Sequence, residues 1–265
     1  MLLLMNMVFA NFAYMRKFLL SISLLLTAFA AVAQNRLEYP KIAENEIVIH
    51  HNGFTLSYNP DWMMPNWAAY ELESSDLEGD AVRQSYFSPD PSPELKDYPL
   101  AEHWHYTKSG WVRGHMVPAG DLKYSQEAMN DSFYTTNICP MNMEFNNGIW
   151  KRLEEKTRKW AIEFGRVYVI TGPILGDNKN GKVGTSDIYI PDSFFKAVLI
   201  PYENTYYSIG FVLFNEPAPK GSQLRDYALT VDDVEELTGM DFFYALKPRV
   251  ASEVEKMLPL KELSL

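Results

Sequence analysis

The amino-acid sequence predicts an α+β fold, a single domain of several strands and about three helices, on three observations. Short runs of β-branched and aromatic residues recur along the chain, and the first two are separated by Asn52-Gly53. One stretch, from Asn146 to Phe164, keeps its apolar residues at close to helical spacing. No internal repeat, heptad pattern or low-complexity tract competes. With 265 residues, 47% hydrophobic and 22% charged, the chain has the composition of a globular protein and the length for a substantial core.

Taken in order, the first element is a targeting segment. Met15-Arg16-Lys17 opens a basic region, Phe18 to Val32 is apolar, and Ala31-Val32-Ala33 offers small residues before Gln34. That is the layout of a secretory signal over residues 1–33. Residues 1–14 are largely apolar and uncharged, which fits a true start at Met15. The alternative is an uncleaved membrane anchor, and Arg16 and Lys17 interrupt the run that it needs. A lipid anchor would need a Cys just after the apolar run, and the single Cys is Cys139. Cleavage after Ala33 leaves residues 34–265 as one domain, with 22 basic against 34 acidic residues and a net charge of −12. One Cys permits no internal disulfide, so the exported domain must rely on its core, with Cys139 as a small packing residue.

Residues 34–45 read as a short mobile leader. Residues 46–50 and 54–58 flank Asn52-Gly53 as a hairpin, because Asn and Gly adopt the positive φ of a two-residue turn. Residues 66–72 make a third strand. Residues 73–110, with Pro89, Pro91, Pro93 and Pro99, read as a long surface excursion. Ile149, Trp150, Leu153, Trp160, Ala161 and Phe164 mark a helix that Gly165 stops. Residues 167–171 are a buried strand. Residues 194–200 and 206–214 are two more, turning at Glu203-Asn204. Thr230 caps a helix that Gly239 closes, and a last helix from Pro248 carries Val250, Val254, Met257 and Leu258 inward.

The chemistry concentrates in two stretches. In Arg113-Gly114-His115-Met116-Val117-Pro118-Ala119-Gly120-Asp121, His115 follows a residue that permits close backbone approach. It is either a hydrogen-bonded structural residue or a base, since neutral imidazole takes a proton from water near neutral pH. Asn146 and Asn147 precede the helix, and either can be an N-cap or lend an amide oxygen to Mg²⁺. A neutral ligand leaves the ion's charge free to polarise a phosphate. Glu154 and Arg158 stand four apart, as a surface pair or as a carboxylate held in place by its neighbour.

These two stretches resemble the signature blocks of the DNA/RNA non-specific endonucleases. Arg113, Gly114, His115, Pro118 and Ala119 fall on the first block. Thr136, Asn137, Pro140, Asn146, Trp150, Leu153, Glu154 and Arg158 fall on the second. Asn59-Pro60 with Pro65-Asn66-Trp67 and Tyr70, Arg83 with Phe87 and Asp90, and segments 169–173, 191–196 and 230–243 extend the similarity over most of the mature chain. The resemblance implies a ββα-metal finger built on a central, mainly antiparallel β-sheet with flanking helices. It implies His115 as general base, Asn146 as ligand to Mg²⁺ (Mn²⁺ as substitute), and Arg113, Asn137 and Glu154 as further catalytic-site residues. Arg83 and Arg158 become phosphate contacts. The expected function is hydrolysis of DNA and RNA by a secreted or periplasmic enzyme, with no stable membrane insertion after signal cleavage and no protein partner indicated. Val112 stands where the family has Asp, and Met141 where it has Gln.

An acidic chain repels nucleic acid unless its cations are gathered, because phosphate contacts supply most non-specific affinity. Lys151, Arg152, Lys156, Arg158, Lys159 and Arg166 outnumber Glu154, Glu155 and Glu163 around the central helix, so a basic groove on an acidic body is expected. Two rivals remain at this point. His103 and His105 alternate across Trp104, so on an extended strand they could join His115 around zinc. A non-catalytic exported module of the same fold is the other, and Val112 is the feature that points to it.

Overall fold

The computed structural model describes residues 36–265, so the signal segment and the start at Met15 lie outside the described residues. Residues Glu38–Leu265 form one folded unit. Its frame is a seven-stranded antiparallel sheet in the order β1-β2-β3-β6-β7-β8-β9. The strands are β1 (Ile47–His51), β2 (Phe54–Asn59), β3 (Met64–Glu73), β6 (Arg166–Ile174), β7 (Ser193–Tyr202), β8 (Thr205–Phe214) and β9 (Ala228–Leu229). A separate antiparallel ribbon pairs β4 (Val112–His115) with β5 (Ile138–Met141). The helices are α1 (Gln126–Asp131), α2 (Lys151–Phe164), α3 (Val231–Thr238) and α4 (Pro248–Val254).

Local chemistry sets most of these boundaries. His51 pairs directly with Phe54, so Asn52-Gly53 is a two-residue turn, with Gly53 at φ +84°. Tyr202 pairs with Thr205 across Glu203-Asn204 in the same way. Gly165 at φ +88° ends α2. Thr230 and Asp233 form a reciprocal capping box at the head of α3, and Gly239 closes it in the left-handed conformation.

The sheet is covered on both faces, which explains why β7 reads as a near-continuous apolar run rather than an alternating one. On one face Phe194 packs with Phe145 and Trp150, under the finger and α2. On the other Phe195 stacks on Phe242 beside α3. α2 buries Leu153, Thr157, Trp160 and Ala161, the i, i+4, i+7, i+8 stripe of an amphipathic helix.

Four expectations change. The leader is tied down: the Tyr39 hydroxyl bonds Thr55 Oγ1 at 2.7 Å, and the Lys41 amide donates to the Asp241 carbonyl. The 73–110 stretch is no mere surface loop, for it coils into three single 3₁₀ turns and buries Asp90, Leu95, Ala101 and Tyr106. α4 ends at Val254, which leaves Met257 and Leu258 exposed beyond it. The short α1, capped by Ser125, is a helix beyond those expected.

Candidate active site

Alternation along β4 does the first work. Arg113 and His115 share one face of the ribbon, and Val112 and Gly114 share the other. A Cβ at Gly114 would overlap the Met141 side chain, so a larger residue there needs that side chain to shift. Val112 and Met141 are direct cross-strand partners. The two positions where the chain departs from the expected pattern thus meet on the ribbon face opposite His115.

His115 is 8% exposed, with its ring against Phe87 (5.4 Å between centroids) and edge-on to Phe133 (5.0 Å). Burial, and secondarily the nearby Arg83 guanidinium, pull its pKa down to about 3. The imidazole is thus neutral at physiological pH. Its buried Nε2 has no hydrogen-bond partner among the described residues. The guanidinium groups of Arg113 and Arg83 lie over the rings of Phe87 (4.7 Å) and Phe133 (5.2 Å), so aromatic faces aim both cations.

The second half of the site comes from the entry to α2. Asn142, rather than Asn146, is the N-cap here, its Oδ1 accepting from the Glu144 and Phe145 amides. The chain then passes through one wide π-turn, Asn146–Trp150, kinked at Gly148. Such turns are frequent at functional sites because they re-aim side chains. This one presents both Asn146 and Asn147 to the cleft. No hydrogen bond among the described residues engages the Asn146 side chain.

Together these groups line a cleft of about 340 Å³ that holds Arg83, Arg113, His115, Asn146, Asn147, Lys151, Glu154 and Arg158. Four cations face one carboxylate. Arg158 is no simple surface partner of Glu154: its Nε donates to Asp121 Oδ1 at 2.5 Å, and its Nη2 lies 3.6 Å from Glu154 Oε2. Gly120 makes room for this, since a Cβ would stand 2.8 Å from Arg158 Nη2. Asp121 is fully buried and also accepts from the Tyr70 hydroxyl at 2.8 Å. Burial and the Asp121 charge raise the Glu154 carboxyl above its ordinary range.

Asn137 is the one expected site residue that does not line the cleft. It is fully buried, its Oδ1 accepting from the Val117 amide and its Nδ2 donating to the carbonyls of Val117 and Ser132. With no free polar atom left, it pins the loop that follows His115. Asn215 does the same for the other half, accepting from the Asn142 amide and donating to Pro140 and Pro191. Asn215 and Asp121 carry no sequence signal of their own, except that Asp121 closes the run begun at Arg113.

Two further expectations are corrected. Arg166 is remote from the groove, tied to Glu71 (2.6 Å) and Glu73 (2.7 Å). His103 and His105 fall on a 3₁₀ turn rather than a strand, and His105 Nδ1 accepts from the Glu102 amide. Among the described residues no His cluster gathers around His115, so the zinc reading falls.

A two-stranded ribbon and a following helix that bring an imidazole and a carboxamide to one cationic cleft define a protein of the ββα-metal class. The chain belongs to the DNA/RNA non-specific endonuclease family, whose model matches residues 34–249. It is 37% identical over 226 residues to the mitochondrial nuclease EXOG of Danio rerio, covering 80% of this chain and 64% of that one. It is 32% identical over 209 residues to nuclease C1 of Cunninghamella echinulata, covering 74% and 82%. The chain thus spans just under two thirds of the zebrafish protein. The fold matches a chain in a crystal structure of an EndoG/EndoGI complex with a TM-score of 0.71 at 23% identity, over 81% of this chain and 91% of that one. No helix among the described residues is long and apolar enough to cross a membrane.

Proposed function

We propose that this chain is a metal-dependent, sugar-non-specific endonuclease that hydrolyses phosphodiester bonds of DNA and RNA and acts outside the cytoplasm. The observation that carries the reading is the unpartnered Nε2 of a neutral His115 inside a cleft ringed by guanidinium groups. A buried acceptor without a partner is costly, and water or substrate in the cleft is what would satisfy it.

The residues fit a hard divalent ion of the Mg²⁺ type. The Asn146 amide oxygen is a neutral ligand with no competing hydrogen bond, and such an ion takes few protein ligands beside water and phosphate oxygens. Bound there, Mg²⁺ (or Mn²⁺) would supply Lewis-acid stabilisation of charge on the phosphate and the leaving oxygen. His115 Nε2 accepts the proton of the attacking water. Arg113 and Arg83 neutralise the phosphate, and Arg158 holds Glu154 where it can order water. No ribose hydroxyl enters this scheme, so both nucleic acids are substrates.

Digestion of supercoiled plasmid and of RNA, with Mg²⁺ and with EDTA, tests it. Both should be cut, EDTA should abolish cutting, and a few hundred millimolar salt should suppress it strongly. EDTA-resistant or salt-indifferent cleavage would count against the proposal, and no cleavage at all would favour a non-catalytic module. Export follows from the signal over residues 1–33. Activity retained inside the cytoplasm of an expressing cell would refute it.

A further inference from the structure

Three carboxylates converge on the sheet face that Phe195 shares with α3, away from the finger and the cleft. Asp232 and Glu235 stand three apart on α3, and Glu255 directly follows the end of α4. One carboxylate oxygen of each lies within 4.8 Å of the other two. The Asp232 amide donates to the Glu255 carbonyl at 3.1 Å, so backbone already ties the two helices together at this point. Both rest on β8: Gly210 lies against Val234 of α3, and the Ser208 hydroxyl donates to the Val254 carbonyl at 2.6 Å.

Glu255 is the member without a structural reason. It is 8% exposed, and its carboxylate makes no hydrogen bond or ion pair among the described residues. Asp232 suits the first turn of α3, where the helix dipole favours an acid, but Glu255 sits at the opposite, negative end of α4. Glu235 gives one oxygen to the Phe242 amide at 2.5 Å and keeps the other. No Lys or Arg among the described residues pairs with any of the three, and Asp241 adds a fourth negative charge nearby. Burial first, and these neighbouring acids next, push the Glu255 carboxyl up to about 8. A buried carboxylate needs a partner, and the protein offers only further acids.

We propose that Asp232, Glu235 and Glu255 form a structural calcium site that clamps α4 onto α3. The donors are oxygen alone, with no His or Cys, which suits a hard cation rather than zinc. Mg²⁺ is usually held by one or two carboxylates, whereas Ca²⁺ accepts more of them in irregular geometry. Two oxygens on opposite sides of one Ca²⁺ stand roughly 4.6–5.2 Å apart, twice the usual Ca–O distance. Three oxygens within 4.8 Å of one another fit inside that span. Asp232 and Glu235 are only partly buried, so the ion can enter and water can complete its shell. The site lies across the sheet from His115 and Asn146, and the inference does not depend on the nuclease reading.

Thermal unfolding of EDTA-treated protein, with and without added Ca²⁺, tests this. At about 10 mM Ca²⁺, roughly ten times the weakest Kd of extracellular calcium modules, the midpoint should rise by about 3 °C or more. Asn146→Ala should show the same rise, which excludes the cleft as its source. Glu255→Gln should show none, and calorimetric titration should find one Ca²⁺ site fewer in Glu255→Gln than in wild type. Four results would overturn the proposal: no rise in wild type, a rise that survives in Glu255→Gln, a rise lost in Asn146→Ala, or an equal rise with sodium chloride of matched ionic strength. If Glu255→Gln does not fold, the less buried Asp232→Asn takes its place with the same expectation.

Discussion

Replacing His115 with Ala should lower kcat on plasmid by about 10²- to 10⁴-fold, the range for loss of a positioned general base. KM should change little, because the phosphate contacts of Arg113 and Arg83 remain. Exogenous imidazole should restore part of the rate through the space left between Phe87 and Phe133. The pH dependence has a definite sign. Folded His115 is held neutral down to about pH 3, whereas an unfolded histidine protonates near 6.5. Its contribution to stability is complete above pH 6.5 and is lost progressively as the pH falls from there toward 3. Urea unfolding at pH 7 and pH 5 should therefore show a steeper acid loss in wild type than in His115→Ala. Equal losses would remove the case for a buried neutral imidazole.

The largest effect on stability is expected at Asp121. Its carboxylate is fully buried between the Tyr70 hydroxyl and Arg158 Nε. Asp121→Ala strands a buried hydroxyl and leaves a half-buried guanidinium without its nearest acid. Breaking a buried pair costs about 3–5 kcal/mol, and solvent access to Arg158 places the expected loss near the lower end, about 3 kcal/mol. Asp121→Asn keeps an acceptor for Tyr70 and should lose roughly half as much. Denaturant titrations of both variants measure this, and a loss under about 1 kcal/mol for Asp121→Ala would show that the network is slack.

How far the sequence carries the fold depends on the range of the contacts involved. Asn52-Gly53, Gly165, Thr230 and Gly239 act through neighbouring backbone, and each marks the boundary it implies. β4 and β5 are four residues each and pair across more than twenty intervening positions, so no local period reveals them. Their chemistry shows through instead, because Arg113 and His115 alternate as strand neighbours do. Lys196 hides inside an apolar run, and its contact with the Trp150 ring arises only where the π-turn packs on β7. Asn146 illustrates the opposite limit. Composition leaves it level with Asn147 and open to a capping role, and the structure supplies the reason it is free: Asn142 already caps that turn.

Val112, read alone, is the feature that suggests a weakened site. It pairs across the ribbon with Met141, on the face opposite Arg113 and His115. Neither Val112 nor Met141 lines the cleft.

The central claim is that His115 and Asn146 act as a unit on one phosphodiester. A double-mutant cycle on plasmid cleavage at saturating Mg²⁺, with His115→Ala, Asn146→Ala and the pair, tests it most directly. Groups that act as a unit are strongly non-additive, so the double variant should be about as slow as the slower single one. Losses that multiply, or near-normal cleavage by either single variant, would contradict it.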